Sequence, residues 1–293
     1  MVPCTKYTDT DVGLVLDTIP SSGIPAWIAR FDWVVGWEFG WADPAVQPRT
    51  ILCRPDSLAG LARLVRTQRF SAGFFESTTL VIGGGDRKLS TQSRRHLATV
   101  VAQFEAVFYE GYDESVPGIG VMPKGLRERY IRGHEDAVRS AISYDGPREI
   151  NVVAAWGKWY PYLDDLIEDR KQARAFAHSS SVVEELALEP ADYWKKLSKS
   201  SFMMVPEGAG VQTPKMAEAI LAGCIPICRP NPAFSELAKR GVPIVMVDDW
   251  RDIESLDLFQ TRRSLAPAIE EFREIYSSLD RFWGFSFREV KTV

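Results

Sequence analysis

The segment that most constrains the fold of this chain is 200–230, which has the order strand, glycine loop, helix and strand. Residues 202–205 form an apolar run of strand length, and residues 224–228 form a second one. Between them, the Glu207-Gly208-Ala209-Gly210 turn cannot continue a strand, and residues 214–222 have the composition of a short helix. A strand that leads through such a loop into a helix is typical of α/β proteins.

The ends of this predicted helix carry residues that begin and end helices. Thr213 is a favoured N-cap residue, Pro214 suits the first helical position, and Gly223 is common just after a helix. Pro226 predicts that the following strand is short or lies at a sheet edge, because proline has no N–H to donate. The glycine loop and the helix N-terminus together predict an anion-binding site.

Strands and helices alternate along most of the chain, which predicts an α/β fold with parallel sheets covered by helices. The predicted strands outside the opening segment are 12–16, 51–53, 78–82, 107–109, 150–155 and 242–247. The predicted helices are 57–68, 91–104, 128–142, 164–178, 191–197 and 264–278.

The pattern restarts after residues 117–125, a stretch rich in proline and glycine that we interpret as the crossing between two domains. We therefore predict two Rossmann-like domains, 1–125 and 126–270, that face each other across a cleft. A C-terminal helix and tail, 271–293, would cross back to the first domain.

Composition limits the kind of protein. The chain has 293 residues, a net charge of −4, 45% hydrophobic and 25% charged residues, which is ordinary for a soluble globular protein and gives no reason to expect nucleic acid as a partner. The sequence has no apolar run of membrane-spanning length and no signal-peptide pattern at its start. Four cysteines in this length fit a reducing compartment. The prediction is a soluble, cytoplasmic protein.

A group of aromatic residues near the N-terminus has two interpretations. The side chains could belong to the apolar core, or they could form a platform on which a sugar ring stacks. Sequence spacing does not separate the two interpretations for these residues: Trp27, Phe31, Trp33, Trp37, Phe39 and Trp41.

The Gly83-Gly84-Gly85-Asp86 turn follows a predicted strand, where ligands of open α/β sheets bind. It fails the dinucleotide fingerprint because Lys88 stands where the third glycine is needed, so a dehydrogenase is disfavoured. Asp86 could act as a general base, or it could only begin a helix in a tight turn.

Charged residues beside glycine loops in the second domain suggest a diphosphate site. Lys158, after Gly157, and Lys215 could neutralise a diphosphate, and Glu218 could accept two hydrogen bonds from a ribose diol. Asp9 and Asp11 have the spacing of a metal-binding D-x-D pair, but they precede a strand in a polar segment, so no metal site is predicted.

The residues 197–226 resemble the donor-binding half of exostosin-type GT-B glycosyltransferases through the pattern L-x-x-S-x-F-x-x-x-P-x-G…[S/T]-x-[R/K]-x-x-E-A-x-x-A-G-C-I-P. Phe234-Ser235-Glu236 is similar to the family's P-F-S-E/D element. Residues 80–89 resemble the L-V-T-G-D-x-D turn of some soluble relatives, and residues 122–126 resemble their I-P-x-G-L segment.

The resemblance implies donor-binding roles for particular residues. Glu218 would bind the nucleotide ribose, and Lys215 would contact phosphate where the family usually has arginine. The other donor-binding residues that it implies are Gly157, Lys158, Glu207, Gly208, Thr213 and Pro214.

Together these observations predict an inverting glycosyltransferase that uses a UDP-sugar and no metal. Glu207 and Glu218 are eleven positions apart, which differs from the E-x7-E pattern of retaining GT-B enzymes. The first domain would bind a glycan or glycoprotein acceptor, and the second would bind the donor.

A compact chain of this kind is similar to xylosyltransferases of large algal viruses, which implies that the donor is UDP-xylose. The alternative is a non-catalytic nucleotide-sugar or carbohydrate binding module on the same scaffold.

Overall fold

The computed structural model describes residues 25–36, 40–66, 70–71, 73–84, 89–112, 116–126, 131–156, 167–208 and 210–287. Over these residues the chain forms two five-stranded sheets in which every strand pair is parallel. The predicted fold class, α/β with two Rossmann-like units, is confirmed. The predicted strand 12–16 lies outside the described residues.

The first sheet has its strands in sequence order: β1 (Trp33–Val35), β2 (Thr50–Cys53), β3 (Thr79–Ile82), β4 (Ala106–Tyr109) and β5 (Ile119–Val121). The three strands predicted in this part of the chain are confirmed as β2, β3 and β4. Residues on alternate sides of these strands enter two different apolar clusters, because successive side chains of a strand point to opposite faces.

The interpretation of residues 117–125 as a domain crossing is wrong in part, because residues 119–121 form β5. Gly120 makes this strand possible: a Cβ at this position would lie 2.8 Å from the ring of Phe108 on the neighbouring strand. Glycine at this position therefore allows β4 and β5 to pack closely. The predicted domain division at residue 125 falls between β5 and the next strand, and the boundary itself stays a prediction.

The second sheet has the order β10-β9-β8-β6-β7, formed by β6 (Glu149–Ala154), β7 (Val183–Glu185), β8 (Ser200–Met204), β9 (Ile225–Cys228) and β10 (Val245–Met246). Its central strand β8 is completely buried. The strand β7 carries no strong sequence signal and was not predicted.

The prediction that Pro226 marks an edge strand is wrong, because β9 lies between β8 and β10. Val205 N donates to Ile227 O, and Val247 N donates to Cys228 O, so alternate residues of β9 face opposite neighbours. Pro226 therefore faces β10, whose pairing begins one residue later, at Ile227. The missing N–H of the proline costs no ladder hydrogen bond there.

The helices of the described residues are α1 (Pro25–Ile28), α2 (Leu58–Arg66), α3 (Thr91–Ala98), α4 (Glu135–Ile142), α5 (Glu168–Ser179), α6 (Pro190–Lys199), α7 (Pro214–Leu221), α8 (Pro232–Lys239), α9 (Leu258–Tyr276) and α10 (Leu279–Ser286). Among these residues we find no helix that has both the length and the apolar character needed to cross a bilayer.

Three predicted helices differ at their ends from the observed ones. The helix predicted over 128–142 begins only at Glu135, since Gly133 has a left-handed φ of +81° that helical residues do not adopt. The helix predicted over 91–104 ends at Ala98 and is followed by a short 3-10 turn. The helix predicted to start at 264 starts six residues earlier, because Asp257 caps it through Gln260 N.

The C-terminal helix α10 crosses back to the first sheet, as predicted. The ring of Phe282 packs on Trp27 with centroids 5.5 Å apart, and Trp283 packs on both Trp27 and Phe31. Just after the helix, Phe287 contacts Phe108 of β4. The last part of the chain thus closes the apolar core of the first.

The N-terminal aromatic group belongs to this core. Trp27, Phe31 and Trp33 are at most 2% exposed, and Trp41 is 8% exposed. A sugar ring could not reach their faces, so the platform interpretation is wrong for these four residues. The other two, Trp37 and Phe39, lie outside the described residues.

Three arginines hold the C-terminal ends of helices on the side of the second sheet where its strands begin. Arg148 donates to the carbonyls of Ser198 in α6 and Ala222 after α7, the second at 2.7 Å. Arg262 donates to Gly223 O at 2.9 Å, and Arg273 donates to the end of α4. Burial lowers the pKa of the Arg148 guanidinium, yet these carbonyls are the negative ends of helices and favour its charge.

Replacing Gly223 by alanine should destabilise the protein more than the same change at Gly241. Both glycines have a positive φ, of +74° and +91°, so alanine costs about 1–2 kcal/mol at either position. At Gly223 the new Cβ would also collide with Arg148, whereas at Gly241 no atom lies within 4 Å. We expect Gly223→Ala to lose about 1–3 kcal/mol more, measured by denaturant unfolding. Equal losses of unfolding free energy in the two variants would show that the Arg148 contacts do not contribute to stability.

Candidate functional site

The loops that follow the strands of both sheets meet at one place. Gln212, in the loop after β8, donates from Nε2 to Glu110 O after β4 and to Met122 O after β5, at 2.6 and 2.8 Å. Its Oε1 accepts from Lys124 N at 3.0 Å. The C-terminal edges of the two sheets therefore face a common junction, which is where open α/β sheets bind ligands.

The predicted donor residues Lys215 and Glu218 lie together at the start of α7. Lys215 Nζ is 2.7 Å from Glu218 Oε2, and Tyr193 of α6 donates its hydroxyl to the same oxygen at 2.6 Å. Lys215 Nζ also lies 3.1 Å from the Tyr193 hydroxyl and 4.3 Å from the centre of its ring. We call Lys215, Glu218 and Tyr193 the donor-loop cluster.

Burial differs within the donor-loop cluster. The Glu218 side chain is 3% exposed and the Lys215 side chain is 22% exposed, so the cation lies nearer the surface than the carboxylate. A buried carboxylate is costly unless it is paired and hydrogen-bonded, and both conditions hold here. Burial, followed by the charge of Glu218, raises the pKa of Tyr193 well above its usual value, so this phenol stays protonated.

The start of α7 has the predicted cap. Thr213 has extended backbone angles, Pro214 occupies the first helical turn, and the Thr213 hydroxyl accepts from Lys215 N at 3.3 Å. The main-chain carbonyl of Thr213 accepts from Met216 N. Thr213 therefore already accepts hydrogen bonds from two of the N–H groups at the N-terminus of α7. These are among the groups that the sequence predicts to bind an anion.

Glu207 has a different environment from Glu218. Its Oε1 accepts from Asn231 Nδ2 at 3.0 Å, and its main-chain N–H donates to Asp169 at 2.9 Å. The same Asn231 caps α8 by accepting from Phe234 N. Glu207 is thus tied to the loop before α8, while Gly208 continues the loop towards Thr213.

The loop after β3 is shaped by its glycines. A Cβ at Gly83 would lie 3.2 Å from Leu52, and Gly84 has a φ of +75°. The Gly84 N–H donates to Glu110 Oε2 at 3.0 Å. The predicted base Asp86 lies outside the described residues, as do Gly157 and Lys158.

Two carboxylates near the first sheet, those of Asp32 and Glu76, lie at the edge of that sheet opposite the junction. Asp32 precedes β1 and accepts from Arg49 N and Thr50 N at the start of β2. Glu76 lies in the turn before β3. Both are at the N-terminal ends of parallel strands, opposite the junction.

Sequence reasoning missed four residues of this region. Asn231 could have been found from the sequence, because asparagine followed by proline is typical of the start of a helix. Glu110 had a weaker signal, since it directly follows the predicted strand 107–109. Tyr193 and Gln212 had none, because their partners are 25 and about 100 positions away in the chain.

Two cavities among the described residues lie elsewhere. One of about 460 Å³ is lined by α2 and α3 residues, and one of about 430 Å³ is lined by the three arginines that hold helix ends. The first cavity lies beside α2 and α3, and the second lies where β6 and β8 begin, so both are away from the junction. Within the described ranges no group of three or more metal-ligating side chains is assembled.

No protein-family model matches the sequence, and no curated protein matches it. Solved structures with a similar fold include the GtfA/B complex, with 11% identity and a TM-score of 0.42 over 80% of this chain and 55% of that chain. TarM matches at 10% identity and a TM-score of 0.37 over 81% of this chain and 52% of that chain. The glycotransferase of kitacinnamycin matches at 10% identity and a TM-score of 0.39, over 81% and 75%.

This chain spans about half the length of the first two of these structures.

Tyr193→Phe should make stability less sensitive to alkaline pH. The unfolded chain releases the phenol proton near pH 10, whereas the folded protein keeps it, so the folded state loses stability as pH rises above 10. We expect the unfolding free energy to fall less steeply between pH 8 and 10.5 in the variant than in the wild type. Identical slopes would contradict the protonated, buried state of Tyr193.

Tyr276→Phe provides the matched comparison. Burial raises the pKa of this tyrosine too, but among the described residues its hydroxyl has no hydrogen-bond partner. At pH 8 we therefore expect Tyr193→Phe to cost about 1.5–3 kcal/mol, because it removes a bond to a charged group, and Tyr276→Phe to cost nothing.

Proposed function

We propose that this protein is a glycosyltransferase that moves a sugar from a UDP-sugar to a hydroxyl group of a glycan or glycoprotein acceptor. The observation that carries the proposal is the donor-loop cluster. It places a cation and a buried carboxylate 2.7 Å apart at the start of α7, at the junction of two Rossmann-like units. A nucleoside diphosphate offers the matching groups, a phosphate for Lys215 and a ribose diol for Glu218.

The proposed reaction is a single displacement with inversion at the anomeric carbon. Asp86 takes the proton of the acceptor hydroxyl, the hydroxyl oxygen forms the new bond, and the bond to UDP breaks with its electron pair leaving on the diphosphate. Lys215, Lys158 and the α7 N-terminus would stabilise the leaving group. The different partners of Glu207 and Glu218 in the structure agree with separate roles for the two glutamates.

Finer assignments rest on the resemblance of the sequence. The exostosin-type relationship is proposed from the resemblance of residues 197–226. A viral source and xylose as the transferred sugar are proposed from the likeness of a compact chain of this kind to xylosyltransferases of large algal viruses. Metal independence is proposed because Asp9 and Asp11, which have D-x-D spacing, precede a predicted strand in a polar segment; both lie outside the described residues. Gly157, Gly208 and Pro214 are proposed to shape the donor loops.

A binding module without catalytic activity is the second candidate. It is favoured by the engagement of Lys215, Glu218 and Tyr193 with one another, which would need no catalytic partner. Slow hydrolysis of UDP- and GDP-sugars separates the two functions, because a transferase passes some donor sugar to water. Hydrolysis of no donor, together with tight UDP binding, would favour the module.

Glu218→Ala should weaken UDP binding at least tenfold in calorimetry. Loss of hydrogen bonds between a carboxylate and the ribose diol costs about 1.5–3 kcal/mol, and 1.4 kcal/mol is a factor of ten. Glu218→Gln is the gentler variant, which keeps the shape and removes the charge. Glu270→Ala is the control: it breaks an Arg–Glu pair of the same i,i+3 spacing at the opposite end of β8. Unchanged UDP affinity in folded Glu218→Ala would remove the donor-site assignment.

Asp86→Asn should lower turnover about 10²-fold or more while UDP binding stays the same, because the amide cannot take a proton. Single-turnover assays with the best donor measure the chemical step, and calorimetry measures UDP binding. Turnover within a few-fold of the wild type would move the role of the base to another carboxylate. Asp17, outside the described residues, would then be tested next, since Asp32 and Glu76 lie at the opposite edge of the sheet.

A strict requirement for Mn²⁺ would overturn metal independence. We expect full activity in excess EDTA, measured with the same donor and acceptor.

A further inference from the structure

Glu110 connects two loops that the proposed reaction needs close together. It directly follows β4, and its side-chain Oε2 accepts from Gly84 N at 3.0 Å in the turn that leads to Asp86. Its main-chain carbonyl accepts from Gln212 Nε2 at 2.6 Å in the donor loop. One residue at one strand end therefore contacts the loop on each side of the junction.

Gln212 is held so that its orientation is set. Its side chain makes three hydrogen bonds to main-chain groups of the first domain, at Glu110, Met122 and Lys124. Gln212 is only 3% exposed. A buried amide with both donor and acceptor engaged cannot rotate without leaving polar groups unpaired, which costs about 1–3 kcal/mol for each group.

The Gly84 end is also set by the backbone. Gly83 N donates to Cys53 O at 3.1 Å, which continues the β2–β3 ladder past the end of β3. The next N–H, from Gly84, donates to the Glu110 carboxylate instead, and Gly84 has a φ of +75°. The oxygen of Glu110 therefore holds the second residue after β3.

Glu110 itself is 3% exposed. Glutamate is rarely buried this deeply, and a carboxylate at such a position must be compensated by hydrogen bonds. A side chain that only filled space after β4 would be apolar. An acceptor oxygen aimed at a loop N–H at the edge where ligands bind suggests a role in placing that loop.

We propose that Glu110 and Gln212 are positioning residues for glycosyl transfer. They tie the turn after β3, at Gly84, and the loop after β8, at Gln212, to the C-terminal end of β4, and so set the distance between these two loops. The inference rests on the proposed function. Attack at the anomeric carbon needs reacting atoms about 3–3.5 Å apart, and a misplacement of 1 Å can cost about 10²-fold in rate.

The test compares Glu110→Ala and Glu110→Gln by steady-state hydrolysis of the best UDP-sugar found in a donor panel. The alanine variant loses the acceptor oxygen, so kcat should fall at least tenfold, with KM and UDP affinity within about threefold of the wild type. The glutamine variant keeps an oxygen that accepts from Gly84 N, so kcat should stay within about threefold. Glu105→Ala, at the exposed opposite end of β4, is the control and should change nothing.

The outcomes are distinct. Equal and severe losses of kcat in both Glu110 variants would overturn the positioning role, because the charge would then be required, as in a base. An unchanged kcat in Glu110→Ala would overturn it as well. A wild-type protein that neither binds UDP nor hydrolyses any donor would overturn the proposed function, and the positioning role would fall with it.

Amide hydrogen exchange and a Gln212 variant test the positioning role even if a Glu110 variant is unstable. Amide hydrogen exchange of a peptide containing Gly83 and Gly84 should speed up at least tenfold in Glu110→Ala and not in Glu110→Gln; equal exchange would refute the contact. Gln212→Met, of similar length but without hydrogen bonds, should also lower kcat at least tenfold. An unchanged rate would remove Gln212 from the pair.

Discussion

The hydrogen bonds of the Gln212 amide are the constraint on which the arrangement of the two sheets depends. An amide that binds main-chain groups after β4 and β5 holds the loop after β8 against the first domain, and all three bonds are shielded from water. Arg240, after α8, reinforces the contact by donating to Val121 O of β5 and to the end of α10. The aromatic residues of α10 pack on the core of the first sheet. The polar contacts of Gln212 and Arg240 and the apolar contacts of α10 therefore stabilise the same arrangement of the two sheets.

This arrangement explains why the candidate site lies where it does. Parallel strands deliver their following loops to one edge, and the junction brings two such edges together. The donor-loop cluster is on one side, and the Gly84 turn held by Glu110 is on the other. Glu218 is paired with a lysine on one side, and Glu110 Oε2 accepts from a main-chain N–H on the other.

Local signals predicted the helix α7 and its cap almost to the residue. Thr213 and Pro214 are read from neighbours in sequence, and the i,i+3 spacing of Lys215 and Glu218 alone places them on one helix face. Where prediction failed, the deciding contact was remote. An inner strand tolerates Pro226 because the pairing of β9 with β10 begins only at Ile227. Gly120 is suited to its strand because the ring of Phe108 leaves no room for a side chain there.

The sequence by itself determined the α/β class, most of the strands, the capped helix after the glycine loop, and the position of Lys215 and Glu218 on one face of it. Each depends on residues within a few positions of one another, where periodicity and capping chemistry act. The tertiary structure alone decided the roles of Tyr193, Gln212 and Glu110, and the burial of the N-terminal tryptophans. Their partners lie 25 to more than 100 positions away in the chain, so only the packing of the two sheets and α10 brings them into contact.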